Sequence, residues 1–180
     1  MRIVTINGSL RPGSSTGSAL SIAAAGAIAA GAEVEILNLA SFDLPFCDGR
    51  ADESSYGGDT VRLSESVATA DGLLLGTPNY HGSVAGVLKN ALDLLGPDAI
   101  RDKLVGLVAT ARGDAGAMNT LNHMRHICRW MNAWVIPVEV SIPGAHDAFD
   151  PDGMPTRDGL HTELTRLGGE LVRYSGLLYR

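Results

Sequence analysis

The chain has 180 residues, 45% of them hydrophobic, a length that supports one well-buried core and is short for two, so residues 1–180 are expected to form a single domain. A formal net charge of -6 and a pI near 5.2 give no broad positive field for a phosphodiester backbone. Nucleic-acid binding is therefore not expected, and any bound phosphate must be gripped locally. The short apolar run at the N-terminus is too brief for a signal core or a membrane span, and the low-polarity stretch 19–32 is too short to cross a bilayer, which makes cytoplasmic the default location. Cys47 and Cys128 form neither a CxxC pair nor a zinc spacing, so they read as buried or incidental thiols, and no metal is expected.

Residues 2–6 (Arg-Ile-Val-Thr-Ile) read as a strand that runs into Gly/Ser/Pro punctuation over residues 7–15. A helix starts near Thr16 and ends at Gly31, a plausible C-terminal glycine, before residues 33–37 alternate as a strand. Residues 40–59 mix Pro45, Cys47 and several glycines with acids and read as a long loop, followed by a helix over 60–70. Residues 72–76 are an apolar run bounded by glycines, as expected of a central parallel strand covered on both faces, and a loop is expected over 77–83. Helix 85–95, strand 103–110, loop 111–116, helix 118–131, strand 134–140 and helix 159–178 complete the pattern. Five strands alternating with helices imply a parallel α/β sheet with helices on both faces. Its ligand site is expected outside the carboxyl ends of the strands, where loops 7–16, 77–83 and 110–116 converge.

The first of these loops gathers Ser9, Arg11, Ser14, Ser15 and Thr16 ahead of a helix. Backbone N–H groups, hydroxyls, a guanidinium and the helix dipole together make an anion cradle, although an ordinary capped turn uses the same Ser and Thr residues. Gly8 and Gly13 have the spacing of P-loop glycines, but Ser14-Ser15 replaces the Lys-Ser or Lys-Thr that nucleotide hydrolysis needs. The dinucleotide GxGxxG pattern is absent from the loop, and neither cysteine lies there to serve as a phosphatase nucleophile. Binding of a terminal monophosphate without cleavage is what remains. In the second loop, Pro78, Tyr80 and Gly82 offer a plane and backbone polar groups for a flat heteroaromatic ligand, or equally a plain turn.

Gly8-Ser9-Leu10-Arg11-Pro12-Gly13-Ser14-Ser15-Thr16, taken with the run from Thr77-Pro78-Asn79-Tyr80-His81-Gly82-Ser83 to Asp93, resembles the NADPH-dependent FMN reductase family. That family contains flavin, quinone, azo-dye and chromate reductases. The resemblance implies a flavodoxin-like three-layer sandwich with a five-stranded parallel sheet of order 2-1-3-4-5. It implies that Ser9, Arg11, Ser14 and Thr16, with the Ser15 amide, hold the FMN phosphate. Pro78, Asn79, Tyr80, His81, Gly82 and Ser83 would line the isoalloxazine ring, and Thr110, Ala111, Arg112 and Gly113 would close its far side. Two departures stand out: many relatives have Glu and Asn where this chain has Asn79 and His81, and often a proline where it has Ala85.

The implied activity is hydride transfer from NADPH or NADH to FMN and then to a second acceptor: free flavin, quinone, azo compound or metal oxyanion. The cofactor supplies that chemistry, so no side chain is assigned a catalytic role. Arg112 reads either as a grip on the nicotinamide cofactor's phosphates or as a solvated surface arginine. Lys89 and Asp93, four apart, are placed to pair within a helix that in relatives packs on a second subunit, so a homodimer or homotetramer is expected. The rival reading is a flavodoxin-like FMN carrier without nicotinamide turnover. Such carriers are more acidic and richer in aromatic residues than this chain, which is 5% aromatic.

Overall fold

The computed structural model describes residues 1–50 and 53–178. In chain order the elements are β1 (Arg2–Asn7), α1 (Ser15–Ala29), β2 (Glu33–Asn38), α2 (Gly58–Ala68), β3 (Gly72–Tyr80), β4 (Ser83–Val84), α3 (Gly86–Asp93), β5 (Leu104–Thr110), α4 (Met118–Trp130), β6 (Trp134–Ile142) and α5 (Leu160–Leu178). Five parallel strands lie in the order β2-β1-β3-β5-β6, which is the expected 2-1-3-4-5 once β4 is set aside. The structure adds β4, a two-residue strand antiparallel to the end of β3.

The central strands are apolar throughout because each face meets a helical layer. Val4, Ile6, Leu73, Leu75, Val105, Leu107 and Ala109 pack on one face against α2, α3 and α4. Ile3, Leu74, Leu104 and Val108, offset by one residue, pack on the other against α1 and α5. Between α1 and α5 the approach is backbone to backbone. A Cβ on Gly168 would strike the Ala23 carbonyl and lie 2.6 Å from Ala27 N, and one on Gly26 would lie 2.8 Å from Thr165 Cα. At the opposite end of the sheet from the converging loops, Lys103 Nζ donates to the carbonyls of Val67, Ala68 and Ala70 and so closes the C-terminus of α2.

Residues 77–83 are not a free loop, as the sequence suggested. β3 continues through Tyr80, and Asn79 and Tyr80 pair with Val84 and Ser83 around a two-residue turn. His81 and Gly82 form that turn with φ of 52° and 81°, the left-handed pair a tight hairpin needs, with His81 filling the place more often taken by Asn. In the described part of segment 40–59, the Cys47 N–H donates to Asn90 Oδ1 at 2.9 Å while Asn90 Nδ2 donates to the Pro45 carbonyl at 2.9 Å. That segment is thus tied to its own α3. Residues 51 and 52 of it lie outside the described residues. Cys128 is buried, which pushes its thiol up to about 12.

Candidate functional site

β1 ends at Asn7, and the chain crosses the edge of β3 so closely that the Gly8 N–H donates to the Gly76 carbonyl at 2.8 Å. A Cβ at position 8 would lie 2.7 Å from Leu88 Cβ, so only glycine passes here. The following turns are self-supporting: the Ser9 N–H donates to Asn7 Oδ1 at 3.1 Å, and the Arg11 N–H to Ser9 Oγ at 3.4 Å. Ser14 caps α1, its Oγ accepting from the Gly17 N–H at 3.1 Å. The cap uses a lone pair and leaves the hydroxyl proton available. The first-turn N–H groups of α1, at Ser15 and Thr16, have no carbonyl one turn back and face outward with the positive end of the helix dipole.

Two of the expected hydroxyls are already engaged. Ser15 Oγ donates to the Ala145 carbonyl, and Thr16 Oγ1 pairs with Thr110 Oγ1 at 2.9 Å in a buried bridge between the first and third loops. Ser15 therefore has only its backbone amide left to offer an anion, and the Thr16 amide lies at the same helix end. Arg11 is exposed at the rim.

A cavity of about 510 Å³ opens from this helix end along the carboxyl edge of the sheet, within the range of small-molecule sites. It is lined by Ser9, Arg11, Ser14, Ser15 and Thr16 at one end and by Pro78, Asn79, Tyr80, Thr110 and Arg112 along its length. The remaining predicted residues, His81, Gly82, Ser83, Ala111 and Gly113, do not line it. His81 is exposed at the hairpin tip. The Gly82 carbonyl accepts from Asn119 Nδ2 at 2.6 Å, and Ser83 Oγ pairs with His123 Nδ1 at 2.9 Å. Both backbone groups of Ala111 are used in tying the third loop down: its N–H donates to the Ile142 carbonyl and its carbonyl accepts from the Ala145 N–H. The Gly113 carbonyl accepts from the Gly116 and Gly144 N–H groups.

Sequence reasoning missed Ala145 and His146, which line the cavity from the loop after β6. The signal was present: Pro143-Gly144 turns the chain at the carboxyl end of the fifth parallel strand, where a fourth loop must join the other three. His146 Nε2 lies 2.9 Å from Asp147 Oδ2. Arg11, Arg112 and His146 line the cavity, and no carboxylate is among its lining residues.

The site offers an anion grip of amides, hydroxyls and Arg11 at one end, and a Pro78–Tyr80 strand edge against a flat ligand beyond it. FMN has that shape and charge distribution, a terminal phosphate joined to a planar ring with a polar edge. The residues present fit it.

Comparison with known proteins agrees. The chain is 37% identical over 147 residues to an NADPH azoreductase from Bacillus sp. (strain OY1-2), a match covering 81% of this chain and 79% of that protein. It is also 37% identical over 108 residues to an NAD(P)H-dependent FAD/FMN reductase from Geobacillus thermodenitrificans, covering 60% of this chain and 58% of the relative. Among solved structures, the apo form of an NADH:FMN oxidoreductase superposes with a TM-score of 0.79 at 20% identity, covering 96% of this chain and 89% of that one. An archaeal flavodoxin superposes with a TM-score of 0.69 at 13% identity, covering 98% and 99%, so the fold is flavodoxin-like. The model of the NADPH-dependent FMN reductase family matches residues 1–147, a stretch that carries the anion-gripping turn, the β3–β4 hairpin and both of the missed residues. With motif, fold and cavity in agreement, this chain belongs to the NADPH-dependent FMN reductase family.

Proposed function

We propose that the protein is an NAD(P)H-dependent oxidoreductase that holds FMN in the 510 Å³ cavity, and the observation that carries this is the anion grip at one end of a flat-walled opening. The Ser9 and Ser14 hydroxyls, the amides of Ser15 and Thr16, and the Arg11 guanidinium hold the phosphate. Pro78, Asn79 and Tyr80 border the ring. His81, Gly82 and Ser83 shape that border as the hairpin turn, and Thr110 and Arg112 line the cavity from the third loop, which the backbone bonds of Ala111 and Gly113 tie down. Bound FMN supplies hydride acceptance from the nicotinamide and onward electron transfer. The chain's own part is to fix the ring's position, let the nicotinamide stack on its exposed face and control access by oxygen, which is a matter of alignment rather than proton transfer. Arg112 and His146 are the groups placed to meet the phosphates of NADPH or NADH.

The electron acceptor belongs to the class of free flavins, quinones, azo compounds or metal oxyanions. The unit is a homodimer or homotetramer joined through α3 and α4. Lys89 and Asp93 pair at 2.5 Å along α3, and a groove of about 590 Å³ beside them is bordered by Leu92, Leu95, Ile127, Trp130 and Met131, with Trp130 75% exposed. Residues 1–180 act as one FMN-binding domain, and free thiols at Cys47 and Cys128 suit a cytoplasmic location.

The test is direct. Purified protein should carry or take up FMN with its yellow absorption, and anaerobic NADPH or NADH should bleach it. Trials with free FMN, quinone and azo acceptors then assign the acceptor class. Failure to bind FMN sinks the proposal; binding without bleaching by either nucleotide leaves an electron carrier instead.

A further inference from the structure

The hairpin that borders the cavity is held from outside by the first turns of α4. Three side chains of this helix reach it: Asn119 Nδ2 donates to the Gly82 carbonyl at 2.6 Å, His123 Nδ1 pairs with Ser83 Oγ at 2.9 Å, and Thr120 Oγ1 donates to Asn79 Oδ1 at 3.0 Å. The third bond differs from the other two in burial and in direction. Thr120 is fully buried, so its hydroxyl has no water to fall back on, and it reaches the side chain of a residue that lines the cavity.

An amide side chain has two ends, an acceptor and a double donor, and a bond to one end decides where the other faces. With Oδ1 of Asn79 taken by Thr120, the two Nδ2 protons remain, and among the described residues no protein acceptor takes them. A flavin ring presents carbonyl oxygens and a ring nitrogen acceptor along its polar edge, so the donor end of Asn79 is the end such a ligand requires.

We infer that Thr120 is a positioning residue for the flavin site: it locks the Asn79 amide with its NH2 end free to donate to the polar edge of the bound ring. The inference rests on the proposed FMN site. Thr120 touches neither cofactor nor substrate, and its effect passes through Asn79. Nicotinamide turnover depends on it because the same bond fixes the ring that the nicotinamide must face.

Five proteins test it: wild type; Thr120→Val, which keeps the side-chain volume and loses the hydroxyl; Thr120→Ser, which restores it; Asn79→Ala; and the double variant Thr120→Val with Asn79→Ala. FMN affinity is read by quenching of flavin fluorescence, the flavin's environment by its bound absorption spectrum, and folding by thermal melting of the FMN-free protein. Thr120→Val is expected to raise the FMN Kd by about fivefold to tenfold and to shift the bound spectrum. Thr120→Ser should return both to near the wild-type values. Asn79→Ala should weaken FMN as much, and the double variant should be no worse than Asn79→Ala alone, because both remove one coupled interaction.

Equal FMN affinity and an unchanged spectrum in Thr120→Val overturn the inference while leaving the FMN site intact. So does a double variant whose losses simply add, or a Thr120→Val protein whose weaker binding Thr120→Ser fails to rescue. A wild-type protein that binds no FMN overturns the functional reading and this inference with it.

Discussion

The turn that follows β1 and the hairpin that ends β3 border the same cavity, but they are held in different ways. The bends of the first are fastened by neighbours, Asn7 to Ser9, Ser9 to Arg11 and Ser14 to Gly17 across two or three residues, while bonds from Gly8 to Gly76, Ser15 to Ala145 and Thr16 to Thr110 dock it on the sheet edge. The second is fastened by residues about forty positions away, on the far side of β5: Asn119, Thr120 and His123 on α4. A turn with its own short-range bonds keeps its bends through its own residues. A remotely fastened one inherits every change in the helix that holds it.

The largest test of this contrast is Gly8→Ala. The added Cβ meets Leu88 Cβ at 2.7 Å and the Gly76 carbonyl at 2.8 Å, one of them backbone that cannot swing aside. A loss of about 3 kcal/mol in unfolding free energy is expected in denaturant titration, together with loss of FMN binding. Normal stability and binding would show that the first loop adapts where its bonds suggest it is fixed. Next in size is the double substitution Ser9→Ala with Arg11→Ala. It should weaken FMN by about 2 kcal/mol, or about 30-fold, with an unchanged far-ultraviolet circular dichroism spectrum. Unchanged affinity would move the phosphate elsewhere.

Gly82→Ala probes the hairpin. A side chain at φ 81° is strained, and the expected cost is about 1 kcal/mol, seen as a melting temperature lower by about 3 °C. The comparison predicts that this loss is smaller than that at Gly8, because the added Cβ meets only Asn119 Nδ2 at 3.4 Å.

The smallest effect concerns pH and the helix that holds the hairpin. Cys128 on α4 is buried, and its thiol is raised from an ordinary 9.0 to about 12 in the folded chain. The folded state therefore keeps the proton that the unfolded state gives up. The stability this provides is complete below pH 9 and is lost as pH climbs from 9 toward 12. At pH 10 the loss should be about 1 kcal/mol relative to pH 8, and Cys128→Ala should flatten that part of the pH–stability curve. A wild-type curve flat from pH 8 to 11 would contradict the assigned burial of the thiol.

The same contrast explains what could be read from the residues alone. The strands, the helices and the cradle after β1 follow from periodicities and short-range bonding, which a sequence displays directly, whereas the strand order is what the family resemblance implies. The engagement of Ser15 with Ala145 and of Thr16 with Thr110 joins positions about a hundred or more residues apart. Nothing near Ser15 or Thr16 announces those partners, so both hydroxyls looked free. The hairpin is an intermediate case. His81-Gly82 is a two-residue turn in plain view, but Pro78 and Asn79 resemble loop residues, and the continuation of β3 through them is set by pairing with Thr110 and Val84.

The glycine contact between α1 and α5 gives the cradle a distant point of adjustment. Gly26 lies eleven residues from Ser15 along one helix, about 16 Å at the rise of an α-helix. The helix is stiff over that span, and its far end is pinned where Gly26 and Gly168 let two backbones meet. Even one methyl group inserted there would lever α1 away from α5 and swing the N-terminal amides at the other end. Tuning of the anion grip is thus open to substitutions that no ligand ever touches.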